Sequence, residues 1–186
     1  MMPSKKQPMM TQSPKTNQKL SSSPMSRQVM GAITIIILAL DQLTKHLVQT
    51  YVQLNDAIEI VPGSLNLVHV RNTGAAFGFL NVVDLAYKRV LMTSVALAAL
   101  AAIGFYAWRV EVHETLSRTG LALILGGAIG NLIDRAFLGY VIDFIDVYWG
   151  NIHFWAFNVA DSAITVGACL LIMDMFLATD NVPTST

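Results

Sequence analysis

Long apolar runs alternate with shorter polar stretches along this chain. Four runs are long enough to cross a bilayer as helices, and they cover residues 25–48, 90–108, 121–137 and 159–177. An α-helix rises about 1.5 Å per residue, so about 20 residues cross the ~30 Å of hydrocarbon in a membrane. The pattern predicts a mainly α, integral membrane protein with four transmembrane helices.

The two longer segments between these helices have different patterns. In residues 58–80, β-branched residues flank Pro62-Gly63 and lead into Asn72-Thr73-Gly74. This is typical of a strand, a turn and a second strand, and it predicts a small extracytoplasmic β element between helices one and two, within segment 49–88. The segment 138–158 is rich in aromatic residues, which settle at membrane surfaces, so we expect an interfacial loop there.

The chain ends differ from the membrane domain, which we expect to cover residues 27–178. Residues 1–26 combine four lysines with Ser, Pro and Gln and have no apolar period, which predicts a disordered basic N-terminal tail. Residues 179–186 form a short C-terminal tail. A cleaved secretory signal peptide is the alternative for the N-terminal region, but Leu40 is too large for a cleavage site and further apolar spans follow.

The distribution of basic residues predicts the orientation. The N-terminal tail and the link between helices two and three, which carries Arg109 and Arg118, belong in the cytoplasm by the positive-inside rule. Residues 139–158 contain no Lys or Arg and are expected outside, together with segment 49–88. With four spans, both termini are then cytoplasmic.

Composition excludes several classes of protein. Apolar residues make up 54% of the chain and charged residues only 13%, against about 25% in soluble domains. The net charge of zero argues against a nucleic-acid-binding protein. Cys169 is the single cysteine and has no internal disulfide partner, and the four histidines lack ligand spacing. We therefore expect no metal and no cofactor.

Acidic residues mark the candidate chemistry. Asp134, Asp143 and Asp161 fall near the outer end of helices three and four, where a carboxylate in hydrocarbon would cost about 2.5 to 3.5 kcal/mol. We expect these acids to converge. Two facing carboxylates share one proton, which is the chemistry of aspartic proteases. The alternative is a small proton- or cation-handling membrane transporter component, although helices two and four offer no polar path across the membrane.

Neighbouring residues fit such a site. Asn158 lies three residues before Asp161, so it is expected to cap helix four with Asp161 in the first turn. Gly126 and Gly130 have the small-xxx-small spacing that lets helices approach closely, and Gly139 is expected to end helix three.

The remaining polar residues have a structural alternative. Asp41 and Lys45 lie four residues apart and can neutralise one another within helix one. Asp134 is expected to support the other acids or the fold. Arg135 either holds a carbonyl or carboxylate or reaches out to the interface, and Asn72 either serves the site or only forms a turn.

Five blocks of the chain together resemble bacterial lipoprotein signal peptidase (signal peptidase II). In order, they are DQLTK at 41–45, RNTGAAF at 71–77, GGAIGNLIDR at 126–135, VIDF at 141–144 and FNVAD at 157–161. The resemblance extends over residues 27–178, and the long basic tail is the only departure. It implies an aspartic endopeptidase of the bacterial inner membrane that removes the signal peptide of diacylglyceryl-modified prolipoproteins just before the lipidated Cys.

The resemblance also implies roles for individual residues and names the partners. Asp143 and Asp161 match the catalytic pair, with the active site on the extracytoplasmic side. The other matched positions are substrate-binding or supporting residues, namely Asn72, Asn131, Arg135, Asn158, Asp134, Asp41 and Lys45. The implied partners are lipidated prolipoproteins, membrane lipid and cyclic peptide inhibitors of the family.

Overall fold

The protein consists of a helical bundle with a small antiparallel sheet at one end. The computed structural model describes residues 25–74, 85–111 and 114–179. The helices are α1 (Arg27–Tyr51), α2 (Leu85–Arg109), α3 (Thr115–Phe137) and α4 (Val159–Thr179). The strands are β1 (Ala57–Val61), β2 (Leu65–Asn72), β3 (Val141–Trp149) and β4 (Ile152–His153), hydrogen-bonded in the order β1-β2-β3-β4.

The four predicted transmembrane helices are confirmed. Each helix is long and apolar enough to cross a membrane, and α3 is the most buried of the four. α3 packs against α1, α2 and α4, so it forms the centre of the bundle. The other three helices leave large apolar side chains exposed, as expected for surfaces that face lipid.

Glycines let α3 approach its neighbours closely. A Cβ atom on Gly126 would lie 2.8 Å from the Cβ of Ile37 in α1, and one on Gly120 would lie 2.6 Å from the carbonyl oxygen of Gly167 in α4. At Gly130 the added atom would overlap the Asp41 carboxylate. Small residues are therefore required where these helices cross.

The helix ends follow local sequence signals. Ser26 caps α1 by accepting a hydrogen bond of 3.2 Å from the backbone N–H of Val29. α3 ends at Phe137, and Gly139 has φ 84° while its N–H donates to the carbonyl of Asp134 at 3.2 Å. The expected role of Gly139 is confirmed, because a positive φ is readily adopted only by glycine.

The sheet is larger than the sequence indicated. β1 and β2 form the β element expected between the first two helices, but the segment expected to be an interfacial loop, 138–158, contains β3 and β4. β3 pairs with β2 along most of its length, from Leu65 opposite Val147 to Asn72 opposite Val141. The expectation of an interfacial loop was therefore incomplete. β3 forms because it pairs with β2, which lies far away in the chain.

Apolar packing joins the sheet to the bundle. Val48 and Val52 at the end of α1 pack against Ile142 and Phe144 of β3. This contact holds β3, which carries Asp143, against the end of the bundle.

Parts of the predicted boundaries fall outside the described residues. Of the predicted tail 1–26, only Met25 and Ser26 are described, and of 179–186 only Thr179. Residues 75–80 of the predicted β element also lie outside the described part of the chain.

Candidate active site

Asp143 and Asp161 meet where β3 reaches the start of α4. Asn158 connects them: its side-chain Nδ2 donates to Asp143 Oδ1 at 2.7 Å, and its backbone N–H donates to Asp161 Oδ2 at 3.3 Å. Asn158 is completely buried. A single residue therefore fixes the position of one carboxylate relative to the other.

Asn158 holds this position because it caps α4. Its side-chain Oδ1 accepts the backbone N–H of Asp161 at 2.9 Å, while its own N–H donates to the Asp161 carboxylate. This reciprocal pair satisfies free N–H groups at the helix start, and it confirms the expected N-cap with Asp161 in the first turn. Capping and bridging are thus two functions of one amide.

Two further asparagines hold the outer carboxylate oxygens. Asn72 Nδ2 donates to Asp143 Oδ2 at 3.0 Å, and Asn131 Nδ2 donates to Asp161 Oδ1 at 2.8 Å. The Asn72 side chain also accepts the N–H of Gly74 at 2.9 Å, so this residue both forms a turn and contacts the carboxylate. All four carboxylate oxygens accept a hydrogen bond.

Burial decides the proton affinity of Asp143. Its residue is only 2% exposed, and burial raises the pKa of the carboxyl from 3.8 to about 6, with the nearby Asp161 charge adding to the rise. The hydrogen bonds from Asn72 and Asn158 and the charge of Lys45 act in the opposite direction. A carboxyl in this environment can hold and release a proton near neutral pH.

A second acidic cluster lies beside the first and contains a cation. Lys45 Nζ lies 2.8 Å from Asp41 Oδ2 and 2.9 Å from Asp134 Oδ2, and all three side chains are buried. Gln42 Nε2 donates to both acids, at 3.2 and 3.1 Å. The predicted Asp41–Lys45 pair is present. Asp134 joins this pair and, among the described residues, makes no hydrogen bond to Asp143 or Asp161.

Asp41 and Asp134 each hold the residue next to a candidate catalytic acid. Asp41 Oδ1 accepts the N–H of Ala160, which precedes Asp161, at 2.9 Å. Asp134 Oδ2 accepts the N–H of Ile142, which precedes Asp143, at 3.3 Å.

Lys45 makes a third link between the two clusters. Its Nζ donates to Asn131 Oδ1 at 2.9 Å, and Asn131 in turn donates to Asp161. The buried ions therefore orient the backbone and amides on which the Asp143–Asp161 pair rests.

Arg135 makes no hydrogen bond or ion pair with these acids among the described residues. Its guanidinium donates to the carbonyl of Asn131 in its own helix at 3.4 Å, and the side chain is half-buried. Two further residues beside the site, Gln42 and Arg71, were not predicted from the sequence. For Gln42, the only local signal is its position next to Asp41. The Arg71 guanidinium lies 4.7 Å above the Tyr140 ring. These two residues are far apart in the sequence, so their spacing does not predict the contact.

Two cavities open on the two carboxylates. One of about 320 Å³ is lined by Asp143 together with residues of β2, including Arg71 and Asn72. The other, of about 420 Å³, is lined by Asp161, by further residues of α4 and by the largely aromatic segment before it. Trp155 and Ala156 border both cavities, so a bound peptide that passes from one cavity to the other would pass both acids.

Comparison with known proteins identifies the family. A family model described as signal peptidase (SPase) II matches residues 33–177. The lipoprotein signal peptidase of Geobacter metallireducens is 46% identical over 148 residues, covering 80% of this chain and 90% of the relative. That of Acinetobacter baumannii is 45% identical over 146 residues, covering 77% and 81%.

Solved structures agree with this result. Two structures described as a bacterial membrane enzyme, determined by the in meso method at 1.9 and 2.3 Å resolution, superpose with TM-scores of 0.73 and 0.75 at 28% sequence identity. They cover 82% and 88% of this chain, and 95% and 96% of their own chains. The fold, the order of the sequence blocks and the matching relatives lead to one conclusion: the chain belongs to the signal peptidase II family, the lipoprotein signal peptidases.

Proposed function

We propose that this chain is an aspartic endopeptidase that removes the signal peptide of prolipoproteins by means of Asp143 and Asp161. The observation that carries the proposal is the Asn158 bridge, which joins the two carboxylates through its side chain and its backbone. Asp143 and Asp161 also border adjacent cavities in which a peptide can reach both. The family comparisons give no support to the transporter alternative.

The chemistry needs one proton shared between the two acids. Burial favours that proton on Asp143, so the ionised Asp161 acts as the base and takes a proton from a water molecule. The water oxygen attacks the scissile carbonyl while Asp143 donates its proton to the carbonyl oxygen. The tetrahedral intermediate then collapses: one of its hydroxyls returns a proton to Asp143, the C–N bond breaks, and the leaving amine takes up the proton held by Asp161. No covalent acyl-enzyme forms.

The substrate proposed is a prolipoprotein whose Cys carries a diacylglyceryl group, cleaved just before that Cys. The cavity beside Asp161 supports this class because its walls are largely apolar and continue along α4 through Thr165 and Val166. The two acyl chains can remain in the hydrocarbon while the peptide bond reaches the acids.

The proposed location is the bacterial inner membrane, with both termini in the cytoplasm and the active site on the extracytoplasmic side. The absence of Lys and Arg from residues 139–158 and the basic residues of the N-terminal tail support this orientation. α1 then leads outward to the sheet, and α4 returns to the cytoplasm.

The direct test is cleavage of a diacylglyceryl-modified precursor by purified protein in detergent. Asp143→Asn and Asp161→Asn should each lower turnover by about 10²- to 10⁴-fold, because an amide can neither accept nor deliver the proton. The matched controls are Asp146→Asn on the same strand and Asp174→Asn on the same helix, which should keep wild-type turnover.

Two results would contradict the proposal at separate points. Near-normal turnover by either active-site variant, in protein with a wild-type melting temperature, would exclude the aspartic mechanism at these positions. Equal turnover of lipidated and unlipidated precursors would exclude the lipid requirement and leave the mechanism standing.

A further inference from the structure

A groove between α1 and α2 lies at the opposite end of the bundle from the acids. Both helices pack against α3, but they scarcely contact one another, and Leu125 of α3 forms the floor between them. The resulting cavity has a volume of about 380 Å³. It faces outward between two helices whose exposed side chains are apolar, so its opening is to the surrounding bilayer.

Two glycines give the groove its depth, and helix packing does not explain them. A Cβ atom added to Gly31 in α1 or to Gly104 in α2 would meet no described atom within 4 Å. This contrasts with Gly120 and Gly126, where a Cβ would collide with a neighbouring helix. Glycine lowers helix stability by about 1 kcal/mol, so open glycines on both walls indicate that something other than protein approaches the backbone here.

The walls are apolar and the mouth is cationic. The Thr34 oxygen lies 3.1 Å from the carbonyl oxygens of both Met30 and Ala122, so its single O–H is shared between groups within the protein. At the mouth, the Arg27 guanidinium lies 4.6 Å above the Trp108 ring. No carboxylate in the described part of the chain pairs with Arg27, so its positive charge remains available to an anion.

The dimensions fit one leaflet of a membrane. From Arg27 to Ile35 the groove follows α1 for roughly 12 Å at 1.5 Å per residue, which is less than half of the ~30 Å hydrocarbon core. A tryptophan at the mouth is typical of the level of the lipid headgroups. We propose that this groove binds one anionic phospholipid, with an acyl chain lying over Gly31 and Gly104 and the phosphate on Arg27.

Which leaflet supplies the lipid depends on the topology proposed above, but the binding chemistry does not. An arginine near an anionic headgroup contributes about 1 kcal/mol, which corresponds to about five-fold in affinity. A wholly apolar groove would retain lipids regardless of charge. The preference for an anionic headgroup therefore tests Arg27, and total lipid retention tests the groove.

Native mass spectrometry of the purified full chain can make both measurements, using phosphatidylglycerol and phosphatidylcholine with identical acyl chains. We expect wild type to retain one phosphatidylglycerol with about five-fold preference. Arg27→Gln should abolish the preference, and Gly104→Leu, which fills open space, should lower retention of both lipids. Arg109→Gln and Ala99→Leu are the matched controls, at a cation stacked on Phe105 and at an exposed position of α2 outside the groove, and should behave as wild type.

Several outcomes would overturn the assignment. These are equal retention of the two lipids by wild type and an unchanged preference in Arg27→Gln. A dimer that Gly104→Leu dissociates would assign the groove to a second copy of the chain. Lipid retention that appears only after deletion of residues 1–24 would assign it to the chain's own N-terminal segment.

Discussion

Two pairs of carboxylates lie side by side in this protein and are held in opposite ways. Asp41 and Asp134 share a lysine, whose ammonium lies within 2.9 Å of both. Asp143 and Asp161 are held by asparagine amides and backbone N–H groups, with no cation in hydrogen-bond contact among the described residues. A cation thus holds the first pair, whereas only neutral groups hold the second in hydrogen-bond contact.

The difference explains how the proposed catalytic acids can lie beside acids that support the fold. Lys45 neutralises charge within the bundle, and the carboxylates it stabilises bind the backbone beside Asp143 and Asp161. Neutral amides orient the second pair without lowering its proton affinity as strongly as a cation would. The cation thus stabilises the framework while the amides leave the chemistry available.

The largest expected effect comes from removing the cation. Lys45→Met leaves two buried carboxylates unpaired and should lower the free energy of unfolding by about 3–5 kcal/mol, measured by thermal unfolding in detergent. Lys88→Met is the matched control. Lys88 is also buried, but its one hydrogen bond among the described residues is to the Thr73 hydroxyl, at 3.3 Å, so its loss should cost far less.

A rescue experiment sharpens this result. The triple variant Lys45→Met, Asp41→Asn, Asp134→Asn removes the charges together with the cation, and it should recover much of the lost stability. If Lys45→Met alone melts as wild type does, the two acid pairs are not distinguished by their need for a cation.

Local sequence signals account for most of the helices and half of the site. The apolar runs predicted all four helices, because hydrocarbon requires a continuous apolar stretch of fixed length. α2 begins at Leu85, earlier than the predicted 90, because Lys88 and Arg89 continue the helix beyond its apolar part. The Asn158 cap and the Asp41–Lys45 pair were also predictable, since each depends on a spacing of three or four residues.

The rest of the site depends on contacts between distant segments. β3 was expected to be part of an interfacial loop because its aromatic residues carry no sign of the partner strand, β2. The contact of Asp134 with Lys45 and the contact of Asn72 with Asp143 both join separate elements. Sequence spacing within one helix or turn carries no information on such pairs.

The next effect in size tests the amide bridge. Asn158→Ser should retain the helix cap, because serine is also a preferred N-cap residue, but it cannot reach Asp143. We expect turnover to fall about 10- to 100-fold, since Asp143 becomes charged when it donates its proton and a hydrogen bond to a charged group contributes about 1.5–3 kcal/mol. The melting temperature should stay close to that of wild type.

The control for this variant is another amide on the same sheet. Asn66 Nδ2 donates to Asp146 Oδ2 at 3.0 Å, on the strand that carries Asp143. Asn66→Ala should leave turnover unchanged. Unchanged turnover in Asn158→Ser would mean that the bridge does not position the acids.

A smaller effect concerns pH. The pKa of Asp143 is raised to about 6 by burial, so the folded protein binds a proton that the unfolded chain, with an Asp pKa near 3.8, has already released. This contribution to stability is present at low pH and is lost as pH rises through 6. Between pH 5 and pH 7 it amounts to about 1 kcal/mol, or roughly 2–4 °C in melting temperature.

The measurement compares how strongly the melting temperature of each protein depends on pH, rather than the absolute stabilities. Wild type should melt at a higher temperature at pH 5 than at pH 7, and Asp143→Asn should lack that part of the dependence. Parallel curves for the two proteins would show that Asp143 titrates as an ordinary carboxyl, and the contrast between the two acid pairs would then rest on geometry alone.

The smallest effect is expected at Asp146, which sharpens the comparison because it lies on the same strand as Asp143. Its carboxylate bonds to Asn66 and to the half-exposed His153, whose Nδ1 lies 2.9 Å from Oδ2. Asp146 is buried but its partner His153 is exposed to solvent, and ion pairs with such an exposed partner contribute about 0.2–1 kcal/mol and weaken in salt. Asp146→Asn should therefore lower the free energy of unfolding by less than about 1 kcal/mol, with a smaller loss at high ionic strength. Turnover should not change. A loss of turnover as large as that of Asp143→Asn would mean that position on this strand, rather than the bridge to Asp161 through Asn158, decides which carboxylate matters.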